Sequence, residues 1–235
     1  MKLFFAVAFL FCLTAGAEVT WPQMSSSVVD EAQILSSQEK YEIEQWIYKY
    51  RESGKAQLQV VIVKDLQGLP IEEYSIHLVE RWKVGNEKRD DGVLFLVSTA
   101  DHKMRIEVGQ GLEGALTDLK SKRILADRVK PLFKSGQYAA GIAAGVSEII
   151  QTIDPEYFNQ QGEPAAVPDR KGKSNRISLI VFILFIIFSF FGRRRGGILP
   201  FLGSGGGWGG GSGGGGGGWS GGGGGFSGGG ASSDW

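Results

Sequence analysis

Twenty-four of the chain's 37 glycines crowd into residues 192–230. A stretch so poor in side chains has no apolar surface to bury, so at most about 160 of the 235 residues are left to build a core. One domain is therefore expected, followed by a disordered tail over residues 192–235. Trp208, Trp219, Phe226 and Trp235 interrupt that tail. Aromatic rings of this kind favour a membrane–water interface, which gives the tail weak contacts to lipid or protein.

Two apolar runs flank the folding part. Lys2 precedes an unbroken apolar run over residues 3–13, and Ala15-Gly16-Ala17 places small residues where a signal peptidase cuts. Residues 1–17 read as a secretory signal. The second run, residues 177–191, holds 15 residues with Ser178 and Ser189 as its only polar members. As a helix it extends roughly 22 Å against a hydrocarbon core of roughly 30 Å. Arg176 and Arg193 at its ends can snorkel to lengthen it, so one transmembrane helix is expected. Basic residues flank both sides, four before and three after, so charge does not orient it. The cleaved signal sets the expectation instead: a single pass of the cell inner membrane, the domain in the periplasm and the tail inside.

Charge and cysteine remove several chemistries. Residues 18–160 carry 17 Lys and Arg against 22 Asp and Glu, which makes a poor partner for nucleic acid. Cys12 is the only cysteine, and His77 and His102 are the only histidines. No intrachain disulfide or catalytic cysteine is available, and a zinc site is not expected. A metal held by this composition would be a hard, oxygen-liking cation.

Between the runs the pattern is α/β. Ser36 and Glu39 have capping-box spacing, and Ile43, Trp46, Ile47 and Tyr50 form a helical stripe that Gly54 can end. Residues 58–63 and 93–97 are nearly continuous apolar runs, as strands buried on both faces require. A helix follows Pro70, with Ile71, Tyr74, Leu78 and Trp82 on one side. In residues 104–108, Ile106 and Val108 alternate with Arg105 and Glu107, which predicts a strand with one wet or functional face. Helices are expected over 118–129 and 137–153, and a short strand near 27–29. Helices between strands predict a small, mostly parallel sheet covered on both faces within residues 25–153, with a linker over 154–176.

Enzyme signatures are missing. There is no Walker loop and no G-x-S-x-G elbow. Gly109, Gly111 and Gly114 have dinucleotide-loop spacing, but no helix starts there and Glu113 would repel a pyrophosphate. His77 reads as a packing residue and His102 as a solvated turn residue. What remains are loop acids: Asp30, Asp65, Asp90, Asp91, Asp101, Glu113 and Asp118. Carboxylates converging from separate loops can hold Ca²⁺. Asp is equally at home in turns and caps, and Asp118 is placed to cap its helix.

Several blocks resemble the TPM-domain family. They include Val28-Val29-Asp30, Gly68-Leu69-Pro70-Ile71-Glu72-Glu73-Tyr74, Glu80-Arg81-Trp82 and Asp91-Gly92-Val93-Leu94. Residues 105–118, RIEVGQGLEGALTD, form the longest of them, and Pro131-Leu132-Phe133-Lys134-Ser135-Gly136-Gln137-Tyr138 fits as well. The layout of signal, domain, span and glycine-rich tail resembles the bacterial, membrane-anchored branch. The resemblance implies a three-layer αβα sandwich of Rossmann-like shape. Relatives include a photosystem repair protein, a thylakoid protein described as an acid phosphatase and a nematode receptor modulator, and some bind calcium through loop carboxylates. Carried onto this chain, the implied ligands are Asp30, Asp90, Asp91, Glu113 and Asp118. The chain departs from the family at Ser26-Ser27, at Lys83 and at Asp91, where Gly-Arg, a glycine and an asparagine are usual.

Two functions follow as expectations. The first is an exported, membrane-tethered module that binds a divalent cation, calcium by its oxygen donors, and assists assembly, repair or regulation of membrane-protein complexes. The second is a metal-dependent acid phosphatase acting on phosphomonoesters.

Overall fold

The computed structural model describes residues 19–161 and 222–235. The expected signal over 1–17 and span over 177–191 lie outside the described residues. Among the described residues no helix is long and apolar enough to cross a membrane.

Strand β1 (Val28–Asp30) leads to helix α1 (Ser37–Glu52). The capping box is present: Ser36 N–H donates to Glu39 at 2.7 Å and Glu39 N–H donates to the Ser36 hydroxyl at 3.3 Å. Strand β2 (Gln57–Val63), helix α2 (Ile71–Trp82) and strand β3 (Gly92–Ser98) follow. Residues 99–102 then turn the chain into strand β4 (Lys103–Gly109), with His102 in the left-handed region. So short a connection allows only an antiparallel neighbour.

Helix α3 (Asp118–Arg123) widens into a π turn (Ile124–Val129) before α4 (Lys130–Lys134). Pro131 explains the widening, because it has no N–H to give and its ring collides with a carbonyl four residues back. Thr117, not Asp118, caps α3, accepting from Lys120 N–H at 3.4 Å. Helix α5 (Tyr138–Ile153) carries the last expected stripe. A short helix α6 (Pro155–Gln161) continues where a linker was expected, seating Phe158 in the core and Tyr157 edge-on to Tyr50 at 5.2 Å.

The sheet has five strands in chain order, β1-β2-β3-β4-β5, the last being β5 (Phe226–Asp234). The pairs β1·β2 and β2·β3 are parallel; β3·β4 and β4·β5 are antiparallel. The sheet is therefore mixed, with β4 alone running against the other four strands. Residues 226–234 are strand rather than disordered tail, because β4 offers them an unpaired edge.

Side-chain alternation separates two cores. Val60, Ile62, Phe95, Val97, Met104, Ile106 and Val108 pack with α1 and α5. Val61, Val63, Leu94 and Leu96 pack with α2 and with Trp21 from the N-terminal segment. Trp21 lies 4.8 Å from the Tyr74 ring under the Arg81 guanidinium. Both parallel connections step the same way across the sheet, yet α1 and α2 lie on opposite faces. The two crossovers are thus of opposite hand, and one departs from the usual right-handed rule.

Candidate functional site

The alternation in β4 puts Arg105 and Glu107 on the α2 face. That face is not wet: Arg105 is 5% exposed and Glu107 0%. Arg105 Nε donates to Glu107 Oε2 at 2.6 Å, and the Ser75 hydroxyl of α2 donates to the same oxygen at 2.8 Å. Burial pushes the Glu107 carboxyl above its ordinary range, and the Arg105 guanidinium opposes that rise. Glu107 Oε1 is buried without a hydrogen-bond partner.

The rest of the guanidinium reads the tail. Arg105 Nη1 donates to the Ser232 hydroxyl at 3.0 Å and Nη2 to the Gly228 carbonyl at 3.2 Å. The Ser232 hydroxyl in turn donates to Glu72 of α2, and that bond holds the Glu72 carboxyl below its ordinary range. In the ladder, Arg105 stands opposite Ser232 and Glu107 opposite Gly230. Gly230 has φ +131°, and a Cβ there would sit 1.9 Å from the Ile106 carbonyl oxygen. Only glycine fits.

Both ends of β5 carry an aromatic anchor. Phe226 packs into the α2-side core, its ring over Gly92. Trp235 packs its ring 4.8 Å from Phe133 and 5.5 Å from His102, and its backbone N–H donates to the His102 carbonyl at 3.2 Å. Asp234 comes within 3.8 Å of Lys130 Nζ. Upstream, Gly222, Gly223 and Gly224 donate to the carbonyls of Gly85, Lys83 and Val84 at 2.7–3.1 Å.

The expected cation ligands divide. Asp90 accepts from Gly225 N–H, Glu113 from the Ser227 hydroxyl, and Asp118 from Gly230 N–H at 2.7 Å. These three hold the tail strand. Asp91 points elsewhere: it accepts from Asn86 N–H at 2.8 Å and pairs with Arg89. It borders a cleft of about 240 Å³ lined also by Arg51, Gln57, Asn86 and Gly222. Asp30 lies at the far margin of the sheet, accepting from Leu35 N–H at 2.8 Å in the turn after β1. Asp101 accepts from Leu66 N–H at 2.8 Å and from the Ser98 hydroxyl at 2.6 Å, and Asp65 from Gln67 N–H at 2.9 Å, so both serve turns. Among the described residues no group of three or more His, Cys, Asp or Glu is placed to hold a metal ion. The five carboxylates do not form a calcium cage in this arrangement.

Both histidines are exposed, His102 in its turn as expected. His77 stands edge-on to Trp21 at 5.7 Å, and His102 Nδ1 lies 3.3 Å from the Ala100 carbonyl. The residues that make the site, Glu72, Ser75, Arg105, Ser232 and Trp235, were not among the expected ligands. Their signal in the sequence is slight: a salt-bridging pair inside an apolar strand, and a tail whose glycines give way to Ala231-Ser232-Ser233 at its end.

The TPM-domain family profile matches residues 28–152, more than half of the chain. The chain belongs to the TPM-domain family. Its TPM domain is similar to the N-terminal domain of a P. gingivalis protein solved by NMR, at 34% identity and TM-score 0.52, over 56% of this chain and 83% of that one. The N-terminal domain of cg2496 from Corynebacterium glutamicum matches at 12% identity and TM-score 0.45, over 58% of this chain and 86% of that one. BA42 from Bizionia argentinensis matches at 17% and 0.44, over 53% and 84%. No curated protein matches the chain. Strand β5 lies outside the residues of this TPM domain that the family profile matches.

Proposed function

We propose that this TPM domain is a non-catalytic, membrane-associated module that accepts an extended strand along the edge of β4. Through that contact it assists assembly, repair or regulation of membrane-protein complexes. The supporting observation is the strand seated there, held by main-chain pairing to β4 and by Arg105, Asp90, Glu113 and Asp118. Strand addition to a sheet edge draws affinity from main-chain hydrogen bonds and selectivity from side-chain pockets. Here the selective elements are the space for Gly230, the hydroxyl seat of Ser232 and the aromatic seat of Trp235. Export by residues 1–17 and attachment through residues 177–191 belong to the same proposal and rest on the sequence.

The test is a chain ending at residue 221, titrated with a labelled peptide of residues 222–235. Saturable binding is expected, and much weaker binding to the full chain, whose own strand competes at an effective concentration on the order of millimolar. A truncated chain that ignores the peptide removes the proposal. Calcium enters it only for a chain whose tail has left, because Asp90, Glu113 and Asp118 then lose their N–H and O–H donors. At 100 times its dissociation constant, calcium would add about 2.7 kcal/mol to the stability of the truncated chain.

The second reading is a metal-dependent acid phosphatase. The cleft beside Asp91 favours it, since the Arg51 and Arg89 side chains line a space of about 240 Å³. Phosphomonoester turnover that disappears in Asp91→Ala would put this reading first.

A further inference from the structure

We infer that the folded domain and the C-terminal strand of one chain occupy the same side of the membrane. This rests on the strand-accepting reading and goes beyond it, since a strand supplied by a neighbouring chain would overturn the inference and leave that reading standing.

The contact itself makes the case. β5 pairs with β4 from Lys103 opposite Asp234 to Gly109 opposite Phe226. Arg105 crosses from the Glu107 carboxylate to the Ser232 hydroxyl in a buried site, and the Trp235 ring lies against Phe133. A single crossing would separate these partners by a bilayer. The expectation of an exported domain with a cytoplasmic tail and this pairing therefore exclude each other.

Three features of the sequence agree. A 15-residue apolar run reaches roughly 22 Å as a helix, short of the roughly 30 Å core. Basic residues flank it on both sides, Arg170, Lys171, Lys173 and Arg176 before it and Arg193, Arg194 and Arg195 after it, as suits two ends in like surroundings. Sixty residues, 162–221, separate α6 from the segment that carries β5, more chain than the return to β4 requires. Tethering also favours the strand of the same chain over that of a neighbour, because its effective concentration is on the order of millimolar.

Lys103 and Asp234 are exposed partners across the antiparallel ladder. Such partners have Cα atoms about 4.5–5.5 Å apart, within disulfide range. The experiment uses the full chain with Cys12→Ser, Lys103→Cys and Asp234→Cys, oxidised in intact cells and run without reductant. The two single-cysteine variants are exposed to a membrane-impermeant maleimide before and after lysis. The expected result is a monomer of altered mobility that reverts with reductant, and single cysteines that share one labelling pattern. A disulfide-linked dimer would overturn pairing within one chain. Single cysteines with opposite patterns, one labelled before lysis and the other only after it, would overturn the shared side. Separate thiols in the folded double variant would overturn the docked strand.

Discussion

The Arg105 guanidinium donates at 3.0 Å to the hydroxyl of Ser232, a residue 127 positions further along the chain. The same guanidinium holds Glu107, so one cation joins a carboxylate buried by the sheet to the strand that closes the sheet. β4 without β5 would be an edge whose inner face carries charge. β5 covers that charge and pairs the edge, which is how a sheet margin is kept from pairing with other chains.

Breaking the buried pair from one side should be costly. Arg105→Met leaves Glu107 buried without its cation, and a loss of about 3–5 kcal/mol is expected in denaturant unfolding. Arg105→Met with Glu107→Leu should recover most of that loss, since apolar residues of similar volume replace the pair. Equal instability of the single and double variants would show that the cost lies in packing and not in the stranded carboxylate.

Gly230→Ala should free β5 while leaving the domain folded. Its Cβ would meet the Ile106 carbonyl oxygen at 1.9 Å, and φ +131° disfavours any side chain. Hydrogen exchange should lose protection over residues 226–234 and keep it in β2 and β3. Gly114→Ala is the control, with nothing within 4 Å of its added Cβ. Retained protection at residues 226–234 in Gly230→Ala would contradict the register.

Trp235→Ala removes the ring seated against Phe133 and His102. A cost of about 2 kcal/mol to strand docking is expected for a half-buried aromatic truncated to alanine. Proteolysis of the tail in the native protein reads this directly. Unchanged cleavage rates would assign the anchoring to Phe226 and the glycine ladder.

Acid should loosen the tail. The Ser232 hydroxyl holds the Glu72 carboxyl below its ordinary range, so the contact contributes fully above the ordinary carboxylate pKa and is lost as pH falls through the lowered folded value. Glu107 has the opposite sign. Its raised pKa favours the folded state when protonated, a contribution that fades as pH rises from the ordinary value toward the raised one. In Ser232→Ala the Glu72 pKa should move back up, measured by NMR titration of its side chain. An unmoved Glu72 would mean that Ser232 does not reach it in solution.

What the sequence determined by itself is the part written in short-range pattern. The helix stripe from Ile43 to Tyr50, the capping box at Ser36 and the apolar runs of β2 and β3 are local, and local periodicity reports which face an element buries. The tertiary structure decided the fate of residues 226–234 and of the acids. A glycine-rich segment has almost no strand preference of its own and becomes a strand only where an unpaired edge supplies partners. Alternation marked Arg105 and Glu107 as facing one side of β4, and it could not say that a strand more than 100 residues away would cover that side. The loop acids likewise became strand holders, turn formers or a cleft wall according to which backbone N–H groups the fold brought to them. Hydrogen bonds act over about 3 Å, and nothing in sequence spacing encodes which distant groups will come that close.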